Sequence, residues 1–157
     1  DVPLPDSTGR AQPVRATSLD QYATEHGIAR ADLVFLDVEG SELKVLSSAL
    51  RLLETGPDLI LEVNRAGLHG LNCGPDDLYR FLFNLGYTVY FIEDDYSLKL
   101  RGYDADHITL RPIFADDNSR YYAMKAFNVV ATQNNEKLSQ IGTRANTERI
   151  VGQRGNE

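Results

Sequence analysis

Two acids, Asp37 and Glu39, follow the apolar run "LVFL", and a third, Glu62, interrupts the run "LILEV" shortly before Asn64. Carboxylates gathered at one point repel one another, so at least one holds its proton above the usual range and can accept a proton near neutral pH. The same groups, Asp37, Glu62 and Asn64, could instead hold a hard divalent cation such as Mg²⁺. A plainer account stands beside both. Glu39 and Glu42 lie near the start of a predicted helix, where the helix dipole favours an acid by about 0.3–1 kcal/mol, and Gly40 permits a tight turn. Glu42 is read as such a capping residue. Glu62 resists this explanation, because an acid inside a buried run carries a desolvation cost.

Of the three histidines, His69 in "AGLHGLNCG" could reach the same cleft as a base or a substrate contact, although an isolated loop histidine is more often an exposed bystander. His26 and His107 have no evident partner. The glycines around His69 invite a phosphate-binding reading, yet "GLHGLNCG" lacks the Lys and Ser/Thr of a phosphate loop and does not follow G-x-G-x-x-G.

These residues act together only if the chain brings them together. "DLVFLDV" is a continuous apolar run of strand length, the pattern of a central parallel strand covered on both faces, and it ends at Gly40. Leu43, Leu46, Leu50 and Leu53 then recur at helical spacing, predicting one helix from Ser41 to about Thr55 that Gly56-Pro57 ends. "DLILEVN" is a second buried-strand pattern, so the segment reads as a βαβ unit with a right-handed crossover. Adjacent strands lie about 4.8 Å apart, and ligands of open α/β sheets bind beyond the carboxyl ends of the parallel strands. Asp37, Glu39, Glu62 and Asn64 all lie at such ends.

Upstream, Ser18 can cap a short helix with Leu19, Tyr22 and Ala23 on one side, ending near Gly27. Downstream, Pro75 opens another helix with Asp76 and Asp77 in its first turn and Leu78, Phe81, Leu82 and Leu85 as its buried stripe. "YTVYFIED" is a third strand, which "SLKLRG" could join through the turn "EDDYS", and "FNVVAT" is a last strand. The stretch from Asp104 to Lys125 is mixed in character. Residues 1–13 are expected to form a loop or linker, 14–132 a partial catalytic-type domain, and 133–157 a loosely held polar tail.

A chain of 157 residues fits one domain. Its net charge of −7 opposes phosphate binding, so nucleic acid is not an expected partner. The single cysteine, Cys73, allows no internal disulfide, no run is long enough to cross a bilayer, and the start lacks signal-peptide character; a cytoplasmic location is the expectation. The opening at Asp1, without methionine and in a Pro-rich segment, reads as the middle of a longer chain.

The stretch from "VRATSLDQY" through "FLDVEGSELKVLSSALRLLETGPDLILEVN" resembles the FkbM-type methyltransferase family. The features that carry it are Leu19-Asp20, the strand end Asp37-Val38-Glu39-Gly40-Ser41-Glu42, and Glu62. The resemblance implies an α/β class I methyltransferase (Rossmann-like) sheet, here its C-terminal half, with Asp37 ending the fourth strand and Glu62 the fifth. "YTVYFIED" and "FNVVAT" would be the sixth and seventh strands, the last inserted antiparallel between fifth and sixth. It also implies S-adenosylmethionine as cofactor, bordered by Asp37 and Val38, and O-methylation of a sugar or related small metabolite, with Asp37, Glu39 and Glu62 as catalytic residues. The family's glycine-rich loop after its first strand and the acid after its second have no counterpart among the twelve glycines and acids here. The rival expectation is a truncated, non-catalytic α/β interaction module whose exposed sheet edge favours a homodimer or a docking partner.

Overall fold

Apolar runs separated by helical segments pair into a mixed sheet in the computed structural model, which describes residues 2–5, 11–93, 109–114 and 124–136. Val2–Pro5 (β1) and Ala11–Val14 (β2) pair antiparallel as a separate two-stranded sheet, within a segment expected to be a loop or linker. The main sheet contains Leu33–Leu36 (β3), Asp58–Asn64 (β4), Thr88–Glu93 (β5), Thr109–Ile113 (β6) and Ala126–Thr132 (β7). Its spatial order is β3-β4-β7-β5-β6. β3 and β4 are parallel, and β7 runs antiparallel between β4 and β5, as expected of the last strand. β6 comes from the segment read as mixed in character; "SLKLRG", the expected partner of β5, and His107 lie outside the described residues.

Alternation along the strands divides the sheet into two faces. Leu59, Leu61 and Val63 of β4 and Phe127, Val129 and Ala131 of β7 are buried and stand opposite one another in register. They meet Leu46, Leu53, Leu78 and Leu82 from the helices in one core. The other phase of β4, Ile60, Glu62 and Asn64, is half-buried. β3 departs further from expectation. It lies at an edge of the sheet among the described strands, and Leu33 and Phe35 are 54% and 64% exposed. A continuous apolar run therefore does not mean burial on both faces here: only Leu36 turns fully inward.

The helix predicted over 41–55 is two helices, Glu42–Ser47 (α2) and Leu50–Leu53 (α3). Ala49 leaves the helical region at φ −123°, and the hydroxyls of Ser47 and Ser48 donate to the carbonyls of Leu43 and Val45. The break is also held from outside. Leu19–Glu25 (α1), capped by the Ser18 hydroxyl, presents Asp20, whose carboxylate accepts from the backbone N–H groups of Arg51 at 2.9 Å and Leu52 at 3.0 Å. An acid from one helix thus caps the first turn of another, and Arg51 in return donates to the Asp20 carbonyl at 2.9 Å. The break resets the phase: Ala49, Leu52 and Leu53 are buried, while Leu50 is 45% exposed. Tyr22, expected on the buried side of α1, is likewise exposed and stacks on His26, whose Nδ1 lies 2.8 Å from the Tyr22 carbonyl. His26 therefore has a partner that the sequence did not reveal.

"RAGLHG", read as a loop, is the short helix Arg65–Gly70 (α4), and Pro75–Asn84 (α5) forms as expected, with Leu78 and Leu82 buried. The residues after β7 are fastened to the domain at their start: Gln133 donates to the Leu85 carbonyl at 2.8 Å, and Tyr90 donates to Asn135 at 3.0 Å. No helix among the described residues is long and apolar enough to cross a membrane.

Loss of the α1–α3 cap should be visible in stability. Asp20→Ala is expected to destabilise the domain by about 1–2 kcal/mol, measured by urea unfolding, with Asp20→Asn recovering part of the loss through its remaining acceptor oxygen.

Candidate functional site

Register brings the two principal acids together. Leu36 stands opposite Leu61, so Asp37 and Glu62 are the next residues along the two parallel strands. Leu36 and Leu61 turn into the core, and alternation turns the two acids to the opposite face. The Asp37 and Glu62 side chains are thus neighbours across the ends of the two strands. The pKa of Glu62 is raised above the usual carboxylate range, first by burial, then by its neighbours Asp37 and Glu39 and by the charge of Glu42.

Glu39 joins from the turn beyond β3. Its carboxylate accepts from Asn64 Nδ2 at 2.6 Å, while Asn64 Oδ1 accepts from the Gly67 N–H at 3.0 Å. Asn64 is thus the N-cap of α4 and a brace for Glu39 at once. The sequence carried a sign of the first role, since Asn three residues before a helical Gly67 fits the cap geometry; nothing in it pointed to the second. Glu39 occupies the left-handed region at φ 53°, which costs a non-glycine residue about 1–2 kcal/mol.

Gly40 and Gly67 explain how the turn fits. Gly40 has φ 101°, and a Cβ on it would overlap the Gly67 backbone; a Cβ on Gly67 would overlap the Glu39 carbonyl. The turn after β3 therefore packs backbone to backbone against α4, and no side chain fits between them. Sequence reasoning weighed Gly67 only among the glycines of a phosphate-binding reading, and nothing in it pointed to this contact.

Glu42 corrects an expectation. It begins α2 but its side chain turns back: Oε1 accepts from Gly40 N–H at 3.0 Å and Val38 N–H at 3.4 Å, and the residue is fully buried. Val38, expected beside a cofactor, is half-buried, with its N–H turned to Glu42. His69 is exposed in the last turn of α4. Cys73 donates to the Leu68 carbonyl at 3.3 Å, and burial pushes its thiol pKa up, which suits a structural rather than a reactive role.

Among the described residues no group of three or more His, Cys, Asp or Glu side chains is disposed to hold a metal ion, so the cation reading of Asp37, Glu62 and Asn64 gains no support. Nor does any Lys, Arg or His among the described residues pair with Asp37, Glu39 or Glu62; ion pairs elsewhere include Arg15–Glu25, Arg30–Asp32 and Arg80–Asp77. Among the described residues the site is a patch of negative charge with no cation paired to it, chemistry that suits hydroxyl groups and a positively charged ligand atom.

A comparison with protein-family models matches residues 3–89, just over half of the chain, to the methyltransferase FkbM domain. The chain belongs to this family. Methyl transfer is thereby its class of reaction and a small molecule its class of substrate. Neither a curated protein nor a solved structure matches the chain.

The raised Glu62 pKa has a consequence for stability. A folded-state pKa above the unfolded value gives stability that is fully present below the unfolded pKa and is lost as pH rises through the folded one. Urea midpoints of the parent chain, relative to those of Glu62→Gln, should therefore fall as pH rises from about 4 to 8. Gln stands in for the protonated acid throughout, so parallel curves for the two proteins would contradict the assignment.

Proposed function

We propose that this domain carries the acceptor side of an S-adenosylmethionine-dependent O-methyltransferase site acting on a sugar or a related polyhydroxy metabolite. The observation that carries the reading is the placement of Asp37 and Glu62 side by side just beyond the matched ends of two parallel strands, with no Lys, Arg or His among the described residues paired to either. The donor set fits the reacting end of such a cofactor, because carboxylates favour a sulfonium's positive charge. Bound there, S-adenosylmethionine would supply an electrophilic methyl group on a positively charged sulfur.

Glu62, as carboxylate, takes the proton of the acceptor hydroxyl; burial and neighbouring negative charge make it a stronger base than a free glutamate. Asp37 would border the methyl-donor end together with Val38, and its charge beside Glu62 helps to keep that group basic. Glu39, with one oxygen held by Asn64, offers the other to a hydroxyl of the acceptor. Alignment is the larger part of the task, since holding reactants in near-attack geometry is worth about 7–11 kcal/mol. The adenosine end finds no glycine-rich loop after a parallel strand among the described residues, so weak affinity for the free cofactor is expected.

NMR titration suits weak binding. Excess S-adenosylmethionine is expected to shift the amides of Asp37–Gly40 and Glu62–Asn64; unchanged amides throughout would count against the reading. In methyl-transfer assays with a panel of sugars, Glu62→Gln is expected to lower turnover by about 10²–10⁴-fold, the usual contribution of a general base. Turnover of the parent should rise with pH through the raised Glu62 pKa, and near-parental rates in both Asp37→Asn and Glu62→Gln would remove the assignment.

A further inference from the structure

Glu42 is fully buried, and only one of its oxygens has work that the structure accounts for. Oε1 accepts from the N–H groups of Val38 and Gly40, while Oε2 is buried with no hydrogen-bond partner among the described residues. A carboxyl group in such a place is an unfavourable choice for packing alone, because an apolar side chain of similar size would fill the space without the desolvation cost. Helix capping does not account for it either, since its acceptor oxygen faces the turn before the helix.

What the two hydrogen bonds do is specific. Val38 and Gly40 flank Glu39, the residue in the left-handed region, and Gly40 is itself at positive φ. Their N–H groups converge on a single oxygen, so the backbone on both sides of Glu39 is fixed from within the domain. Asn64 holds the Glu39 side chain from the other side, and Gly67 closes the space behind. Asp37 immediately precedes this clamp and Glu39 lies inside it. We propose that Glu42 is a positioning residue: by gathering the Val38 and Gly40 N–H groups on one carboxyl oxygen, it sets the turn that aims Asp37 and Glu39 at the acceptor. The functional meaning of the aim rests on the methyl-transfer reading above, whereas the clamp itself is measurable without any activity.

Hydrogen exchange and two substitutions test it. In the parent chain the Gly40 amide should be protected from exchange; free exchange there overturns the proposal without any variant. Glu42→Leu keeps the buried volume but removes the acceptor, and should lower Gly40 protection by about tenfold or more, the worth of one hydrogen bond of ordinary strength. The core amides of β4 and β7 should keep theirs. Glu42→Gln retains an oxygen of the same reach and should restore the protection. A Gly40 amide as protected in Glu42→Leu as in the parent, or as unprotected in Glu42→Gln as in Glu42→Leu, would overturn the assignment. Should the leucine variant not fold, the parent and glutamine measurements decide. Failure of methyl transfer in every protein would count against the functional reading and leave the exchange result standing.

Discussion

Hydrogen bonding of β3 to β4 in parallel, with Leu36 opposite Leu61, leaves Asp37 and Glu62 side by side one step beyond the last matched pair. Side chains alternate between faces, so the pairing that sends two leucines into the core sends the two acids to the opposite face. A slip of one residue would exchange the faces of the displaced strand, burying acid and exposing leucine, and the core therefore enforces the register on which the site depends. The hydrophobic pattern and the acidic pair are in this sense one constraint, because the same alternation specifies both.

The turn beyond β3 shows how an unfavourable local geometry is tolerated. The left-handed conformation of Glu39 costs about 1–2 kcal/mol. Against it stand hydrogen bonds from Val38 and Gly40 to Glu42 and from Asn64 to Glu39, each worth about 1 kcal/mol net. The balance is favourable only while Gly40 and Gly67 allow the two backbones to touch. A rigid sheet thus ends in a turn whose shape is determined by contacts from two later segments of the chain, α2 and the β4–α4 junction.

The acids are held by backbone and amide groups, with no pairing cation among the described residues, and that choice has an electrostatic consequence. A lysine or arginine in the cluster would lower the carboxyl pKa values and neutralise the patch. Braces such as Asn64 and the turn's own N–H groups fix geometry and leave the charge available. The proposed recognition of hydroxyls and of a cationic methyl donor rests on family membership, a raised proton affinity at Glu62 and negative charge with no pairing cation among the described residues.

By itself the sequence determined the strands around Asp37 and Glu62, the helix from Pro75, the Ser18 cap and the family, because apolar period, cap residues and a short acidic motif are all local signals. Tertiary structure alone decided what depends on residues far apart in the chain. Asp20 breaks the helix predicted over 41–55 by capping its second half from another helix, which no local pattern records. The same limit applies to β3, whose apolar run gives the propensity for a strand but not its place at the edge of the sheet. Glu42 looked like a helix-start acid and became the anchor of the preceding turn, since only the folded chain shows which N–H groups its carboxyl can reach. Glycine content was visible from the start; that Gly40 and Gly67 need each other was not, because steric exclusion between backbones exists only once the two segments meet.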